Sequence, residues 1–418
     1  MIEKILNDIT DYYLTSPDYN GLTVRSISEK YSLSFEELPQ LFIKMVENDL
    51  IEFRFGDFHQ NIHIKALNEY PKEETLKIIN PTKIQNSCVY PSKEHLKKIV
   101  DKNKYEGRPF ALALAQGENQ LAFRSFDLSI LEFYRNDPRY YYKNSDIAGS
   151  IYYSEDGEKD IDNPNNIYLQ DFGFSYNSKK ERAIAVYLRR LAILSPEHQQ
   201  LWNSRILEGD YKLHPDFYRS SILGYFPEGI SIYEAFIKEQ YKINKLCDNI
   251  GYPPLFKTIY SGSNRPKEFS ILLRPTLREY NNFILILDKI ISENFNEEYF
   301  TGLEKEIEET RKDGKIIIKK KGTIELFNEW IRKNFKPDHP DSYDNIIKPL
   351  KMVRRMRQEP AHAIRLDIFN QKYIHDQRKI MTDVFGSLHI FRLILEQHPY
   401  VDEKIVSEIK NNYKIWLE

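Results

Sequence analysis

Apolar residues recur at the spacing of an α-helix throughout the last third of the chain, from about residue 275 onward. Such spacing places the apolar residues on one face, and that face has to be buried against neighbouring helices. Two segments carry this pattern most clearly, with stripes formed by Leu277, Tyr280, Phe283, Ile284, Leu287 and Ile291 and by Tyr373, Gln377, Ile380, Met381, Val384, Leu388 and Phe391. The pattern therefore predicts an all-α helical domain over residues 275–418.

The first 68 residues predict a small winged-helix-like domain. Three helical patterns are followed by two strand patterns, residues 50–55 and 61–67, and this order is that of winged helix-turn-helix modules. The charged residues on and beside the third helix are mostly acidic: Glu36, Glu37, Glu47 and Asp49, against the single basic residue Lys44. A recognition helix must approach DNA phosphates, so this charge favours docking of a regulatory protein over DNA recognition.

Between residues 69 and 274 the period of the pattern changes twice. After a connector and a helix at residues 91–103 it becomes two over residues 108–175, which predicts a β-rich middle domain, residues 69–179. It turns helical again over a mainly helical connecting region, residues 180–274. Strand candidates are residues 108–116, 119–126, 128–134, 149–154 and 167–176, with a further pair at 255–262 and 268–275. The fold class expected is thus α+β multidomain: a winged helix, a β-rich middle region and a C-terminal helical bundle.

Residues 133–144 interleave aromatic and basic side chains within the β-rich region. Such a cluster can stack nucleobases. The commoner origin is a half-buried strand and turn, which we take as the default interpretation.

Composition limits the classes of partner. The net charge is −2 over 418 residues, so a surface for nucleic acid would have to be local. Apolar runs are interrupted by charges, as at Asp288 and Lys289, and the N-terminus has no apolar leader, so we expect a cytoplasmic protein with no membrane partner. Cys88 and Cys247 fit no metal-binding spacing and predict structural thiols in a reducing compartment.

Common catalytic motifs are missing from the sequence. It contains no P-loop, no GxGxxG opening a helix, no GxSxG, no HExxH and no Cys/His metal set. We therefore expect no bound metal and no cofactor.

One helix end does carry reactive residue types. Pro349 predicts a helix start, because proline is tolerated in a first turn. Leu350, Val353 and Arg357 then share one face, and an arginine on an apolar stripe must be paired or must line a cleft. Pro360 and His362 follow, so the helix end combines a constrained guanidinium with a titratable imidazole.

An arginine followed by a histidine at such a helix end, Arg357-Gln-Glu-Pro-Ala-His362, resembles the ribonuclease motif of the HEPN superfamily. The resemblance covers residues of about 275–400. It implies an endoribonuclease that acts without metal and leaves a 2′,3′-cyclic phosphate. It also implies a homodimer through the helical domain, with two Arg-His pairs facing one cleft, and a role as a toxin or an antiphage-defence effector.

The roles of the site residues follow from phosphoryl-transfer chemistry. His362 would carry the proton of the 2′-OH or of the leaving 5′ oxygen, and Arg357 would stabilise charge on the phosphoryl oxygens. Lys351, Arg354 and Arg355 would bind flanking RNA phosphates. The N-terminal domains would regulate the nuclease, with RNA as the substrate.

Other arginine-histidine pairs satisfy the same spacing, so context has to choose among them. The competing pairs are Arg54/His59, Arg332/His339, Arg355/His362 and Arg392/His398. Only the pairs at His362 lie between two strong helices in a basic neighbourhood, and Arg392/His398 is the main rival.

Two alternatives remain open. In one, Arg357 pairs with a buried carboxylate such as Asp288, and His362 caps the helix. In the other, the protein is a non-catalytic regulator that binds nucleic acid or protein through the winged helix, with the helical domain as a dimerisation platform.

Overall fold

The protein has a mixed α/β fold with several small sheets and many helices. The computed structural model describes residues 1–58, 61–65, 71–153, 169–261, 264–310, 316–336, 341–358, 366–410 and 413–417. The chain divides into two compact units, Met1–Ser178 with Ala183–His214, and Lys179–Arg182 with Pro215–Glu418. No helix within the described residues is both long and apolar enough to cross a membrane.

The first unit begins with helices packed on a three-stranded antiparallel sheet. Its elements are α1 (Ile2–Thr15), β1 (Leu22–Thr23), α2 (Val24–Tyr31), α3 (Leu38–Glu47), β2 (Ile51–Phe55), α4 (Lys72–Ile78), α5 (Pro81–Ile84), β3 (Ser87–Pro91) and α6 (Lys93–Ile99). The strand order is β1-β3-β2, and Phe53 of β2 lies opposite Val89 of β3. Both residues belong to the apolar core that also buries Ile9 and Phe42.

The predicted hairpin in this region is wrong in its second strand. Residues 61–65 form turns, and the strand that pairs with β2 is β3, which lies further along the chain and is buried at all five positions. Residues 66–67 of the predicted strand lie outside the described residues. Lys65 explains part of the difference: its side chain is buried and its ammonium lies 2.6 Å from Glu52, while its backbone N–H donates to Gln120.

The remainder of the first unit contains a six-stranded sheet in which β4, β8, β7, β6 and β5 are neighbours in that order and β9 pairs with β7. The elements are α7 (Pro109–Ala115), β4 (Phe123–Phe126), α8 (Ile130–Asn136), β5 (Tyr140–Asn144), β6 (Ala148–Tyr153), β7 (Leu169–Tyr176), β8 (Arg182–Tyr187), α9 (Leu188–Ala192), α10 (Pro196–Asn203) and β9 (Lys212–Leu213). Strands predicted near β4, β6 and β7 are confirmed.

Three segments of the first unit differ from their predicted type. Residues 108–116 and 128–134 were expected as strands, but they contain α7 and α8. In α7 the buried residues are Phe110, Ala111, Leu114 and Ala115, so one helical face is apolar even though apolar residues also alternate. The region predicted as mainly helical from residue 180 begins instead with the strand β8 (Arg182–Tyr187), which is buried along its whole length, as a continuous apolar run permits. The expected helix is present only from Leu188, as α9.

The second unit is mainly helical. Its elements are α11 (Pro215–Ser221), β10 (Gly229–Ser231), α12 (Ile232–Asn249), α13 (Leu277–Asp288), a π-helical turn (Lys289–Glu293), a 3-10 turn (Glu297–Phe300), β11 (Glu306–Thr310), β12 (Ile316–Lys320), α14 (Thr323–Asn334), α15 (Asp341–Gln358), α16 (Lys372–Glu396), α17 (Glu403–Ile409) and β13 (Lys414–Trp416). Helix α12 packs on α16, while α15 packs on α13, α14 and α16. The helices predicted at α13, α14 and α16 are confirmed, but the region is not all-α as predicted, because β11 pairs with β12 and β13 pairs with β10.

Helix α15 begins earlier than the sequence predicts. It starts at Asp341, and Pro349 lies inside it. An interior proline removes one helical hydrogen bond. Burial of Ile346 and Ile347 on the preceding turn offsets that cost, and the hydroxyl of Ser387 donates to the carbonyl of Ile346.

The strand pair expected at 255–262 and 268–275 is also wrong. The described residues there form no strand ladder, and only an isolated bridge joins Phe256 to Phe295. Side-chain amides satisfy this backbone instead: Asn244 bonds both the N–H and the carbonyl of Phe256, and Gln377 bonds the N–H of Leu272.

Candidate active site

A buried carboxylate lies at the junction of α13 and the π-helical turn. Asp288 is the last residue of α13, and it is only 1% exposed. The hydroxyl of Ser292 donates to its Oδ1 at 2.8 Å. Single π-helical turns are uncommon and are frequent at functional sites. This turn matters for the site because it contains Ser292 and Glu293, which contact the facing helix.

Two arginines of α15 bind this carboxylate. Nη1 of Arg354 lies 2.7 Å from Oδ2 of Asp288, and Nη1 of Arg357 lies 2.5 Å from the same oxygen. Arg357 also donates to Glu293 at 2.9 Å, and Arg354 lies 3.4 Å from the Ser292 hydroxyl. Residues three apart on a helix are neighbours, so the two guanidiniums converge on one acceptor.

The two arginines remain partly open to solvent. The side chain of Arg357 is 29% exposed and that of Arg354 is 44% exposed. The hydrogen bond that Arg357 donates to Asp288, and then the one that it donates to Glu293, raise the pKa of Arg357 above its ordinary value. The guanidinium therefore stays charged, and one buried negative charge holds two cations at the surface.

A cavity of about 570 Å³ opens beside this cluster. Its volume is in the range of small-molecule sites. Its lining comes from α15, from the π-helical turn, and from the segment that joins β12 to α14. The basic residues in the lining are Lys257, Lys321, Lys351, Arg354 and Arg355, and the acidic ones are Glu293, Glu297 and Glu325.

All three residues predicted to bind RNA phosphates, Lys351, Arg354 and Arg355, line this cavity. Arg357 reaches the same lining through its bond to Glu293. The structure thus brings four of the five predicted site residues to one end of α15. His362 lies outside the described residues, as do Glu359 and Pro360.

The alternative pairing of Arg357 with Asp288 is confirmed. What the sequence did not indicate is that Arg354 shares the same carboxylate, or that Ser292 and Glu293 join the cluster. The sequence shows that Ser292 and Glu293 follow Asp288 by four and five residues, but it does not predict the π-helical turn that directs them toward α15.

The two members of the rival pair, Arg392 and His398, contact different residues in the structure. Arg392 is 7% exposed and donates from Nε to Glu239 at 2.6 Å, and it also pairs with Glu396. The ring of His398 packs against Tyr252 and Tyr400 instead. Arg54 is buried on β2, and both His59 and His339 lie outside the described residues.

Within the described residues, no group of three or more His, Cys, Asp or Glu side chains is arranged to hold a metal ion. Comparison of the chain with protein-family models, with curated proteins and with solved structures finds no match.

Proposed function

We propose that this protein is a metal-independent endoribonuclease of the HEPN type. The observation that carries the proposal is the convergence of Arg354 and Arg357 on Asp288, at the rim of a cavity that Lys351 and Arg355 also line. A partly exposed cluster of fixed cations next to a cavity suits a polyanionic substrate.

The reaction needs few protein groups. RNA carries its own nucleophile, the 2′-OH, next to each scissile phosphate. The O2′–P bond forms, the P–O5′ bond breaks, and the products are a 2′,3′-cyclic phosphate and a 5′-OH. His362 transfers the protons that these steps require. Arg357 stabilises the charge that develops on the phosphoryl oxygens.

Arg357 keeps the capacity to bind a phosphate while it is paired. Both of its carboxylate contacts use Nη1. A guanidinium has five N–H donors, so the Nη2 and Nε donors can serve a phosphate oxygen. Asp288 thereby orients the guanidinium of Arg357, and the partly exposed side chain of Arg357 faces the substrate.

The assembly that we propose is a homodimer through the helical domain, in which each chain supplies one His362. The N-terminal helices and three-stranded sheet would act as a winged-helix module that docks a regulatory protein. A toxin or an antiphage-defence effector would require such control, because uncontrolled RNA cleavage harms the host cell.

A second candidate is a non-catalytic regulator. The observation in its favour is that Asp288 and Glu293 both pair with Arg357, as in an ion pair that only joins α13 to α15. In that case the cavity would have no catalytic role.

RNA cleavage in the presence of EDTA tests the proposal. Wild type is expected to cleave and leave cyclic phosphate ends, whereas Arg357→Ala and His362→Ala are expected to be inactive. Lys348→Ala is the matched control, since Lys348 lies on α15 with a 76% exposed side chain and pairs with Asp344. Absence of cleavage by wild type would favour the regulator, and cleavage by both site variants at the wild-type rate would reject Arg357 and His362 as the catalytic pair.

A further inference from the structure

The outer face of the β5–β6 hairpin presents a second cluster of aromatic and basic side chains, within the first unit. Tyr141 of β5 lies directly opposite Tyr152 of β6, and Lys143 lies opposite Ser150. Residues two apart on a strand point to the same side, so these four share one face. The other face is the buried one, since it includes Tyr140 and Ile151.

The two tyrosines form a stacked pair. Their ring centroids are 5.3 Å apart and the ring planes differ by 21°. Tyr141 is 41% exposed. The ammonium of Lys143 lies 5.8 Å from the centroid of Tyr141 and 5.7 Å from that of Tyr152, which are cation–π distances. The result is a small aromatic platform with one positive charge at its edge.

We propose that this platform, Tyr141, Lys143 and Tyr152, binds single-stranded nucleic acid. A base would stack on the tyrosine pair, and Lys143 would contact the neighbouring phosphate. Aromatic side chains beside a cation bind unpaired bases because every base has a flat π-face, whereas the bases of a duplex are already stacked. That the natural ligand is RNA rests on the proposed function; the binding site itself does not.

Two features favour an unpaired nucleic-acid strand as the ligand. The ring of Tyr141 is exposed on a sheet face, which suits a flat base at the end of a flexible strand. Lys143 also places a positive charge beside the rings, and this charge attracts the negatively charged phosphate backbone. A cross-strand tyrosine pair stabilises a hairpin in any case, so stability has to be measured alongside binding.

Fluorescence anisotropy with short labelled RNA and DNA of one sequence tests the platform in the full chain. The measurements use an Arg357→Ala background, so that the RNA stays intact. Tyr141→Ala with Tyr152→Ala is expected to weaken binding of single strands by about tenfold or more. Tyr141→Phe with Tyr152→Phe should retain affinity, because the ring faces remain. Tyr12→Ala, which removes an exposed tyrosine of α1, is the matched control and should bind as its parent does.

Lys143→Gln is expected to weaken binding several-fold and to reduce its salt dependence. Equal affinity for RNA and DNA supports recognition by base stacking alone, and a preference for RNA supports an added contact to the 2′-OH. Equal affinity for duplex and single strand would overturn the proposal, as would unchanged binding by the double alanine variant.

Photo-crosslinking covers the case in which the double alanine variant fails to fold. RNA containing 4-thiouridine is expected to crosslink at Tyr141 or Tyr152, and crosslinks confined to other segments would overturn the proposal. The two proposals fail separately. If the double alanine variant loses binding but wild type cleaves no RNA, the platform is retained and the nuclease is rejected. If wild type cleaves RNA but binding does not depend on Tyr141 and Tyr152, the nuclease is retained and the platform is rejected.

Discussion

Nη1 of Arg357 lies 2.5 Å from Oδ2 of Asp288, and that carboxylate is 1% exposed. An ionised carboxylate removed from water is stable only when charge and hydrogen bonds compensate it. Arg357 supplies part of that compensation from the end of α15, and Arg354 and Ser292 supply the rest. The pair therefore connects the stability of the helical unit to the position of the proposed catalytic arginine.

Asp288→Asn should destabilise the protein by about 1–3 kcal/mol, because two cations lose their shared counter-charge at a buried position. The free energy of unfolding, measured by urea titration, checks this. Glu293→Gln is the control, since Glu293 is 49% exposed and an exposed ion pair contributes about 0–1 kcal/mol. An equal decrease in the free energy of unfolding in the two variants would show that the burial of Asp288 does not make its ion pairs more stabilising than the exposed one.

Arg357→Lys should lower the rate of RNA cleavage by about tenfold or more, although it retains the positive charge. An ammonium lacks the planar fork that can bind Asp288 and a phosphate together. Cleavage rates and thermal unfolding should be measured on the same samples. A lysine variant as active as wild type would mean that charge alone is sufficient.

Lys351→Ala and Arg355→Ala should each weaken RNA binding and lower the salt dependence of the affinity. The slope of log K against log salt is expected to fall by about one for each phosphate contact removed. Lys348→Ala provides the control on the same helix. Unchanged slopes for both cavity variants would show that RNA does not enter this cavity.

The first unit should lose stability as the solution becomes acidic, because of His198. This side chain is 3% exposed, its Nδ1 lies 3.1 Å from the Tyr134 hydroxyl, and burial lowers its pKa below the ordinary value of 6.5. Below pH 6.5 the His198 side chain of the unfolded chain binds a proton more readily than that of the folded chain. The free energy of unfolding therefore decreases as the pH falls from 6.5 toward the folded pKa of His198.

Urea unfolding at about pH 7.5 and about pH 5.5 measures this loss. His198→Gln should flatten the pH dependence, whereas His375→Gln, at an exposed position on α16, should leave it unchanged. The same slope in wild type and in His198→Gln would contradict the assignment.

Both cysteines should resist modification in the native protein. Burial raises the pKa of Cys88 to about 12 and that of Cys247 to about 12, from an ordinary value of 9.0. The thiolate is the reactive form, so labelling at about pH 8 should be slow until the chain is unfolded. Rapid labelling of either thiol in the folded state would contradict its burial.

The same thiols predict how stability responds to alkaline solution. A folded pKa above the unfolded one favours the folded state below about pH 9, and this contribution is lost as pH rises from about 9 to about 12. Cys88→Ala with Cys247→Ala should reduce the slope of the unfolding free energy in that interval.

The helical segments of the second unit were accessible to sequence reasoning, and so was the inward position of Arg357. The segments of α7 and α8 were not. Residues 110–115 are all apolar, so they satisfy an alternating pattern and a helical one at once, and only the neighbours against which they pack distinguish the two. The partner of β2 was also missed, because a strand partner some thirty residues away leaves no local signal.

The sequence by itself determined that Arg357 follows Leu350 and Val353 on a buried helix face, because side-chain direction along a helix is set by its period. It also determined that such an arginine needs a counter-charge. Only the tertiary structure decided that Arg354 shares Asp288, and that a π-helical turn brings Ser292 and Glu293 to the same point. The reason is that these contacts join α13 to α15 across more than sixty residues of chain, where packing and not local periodicity sets which side chains meet.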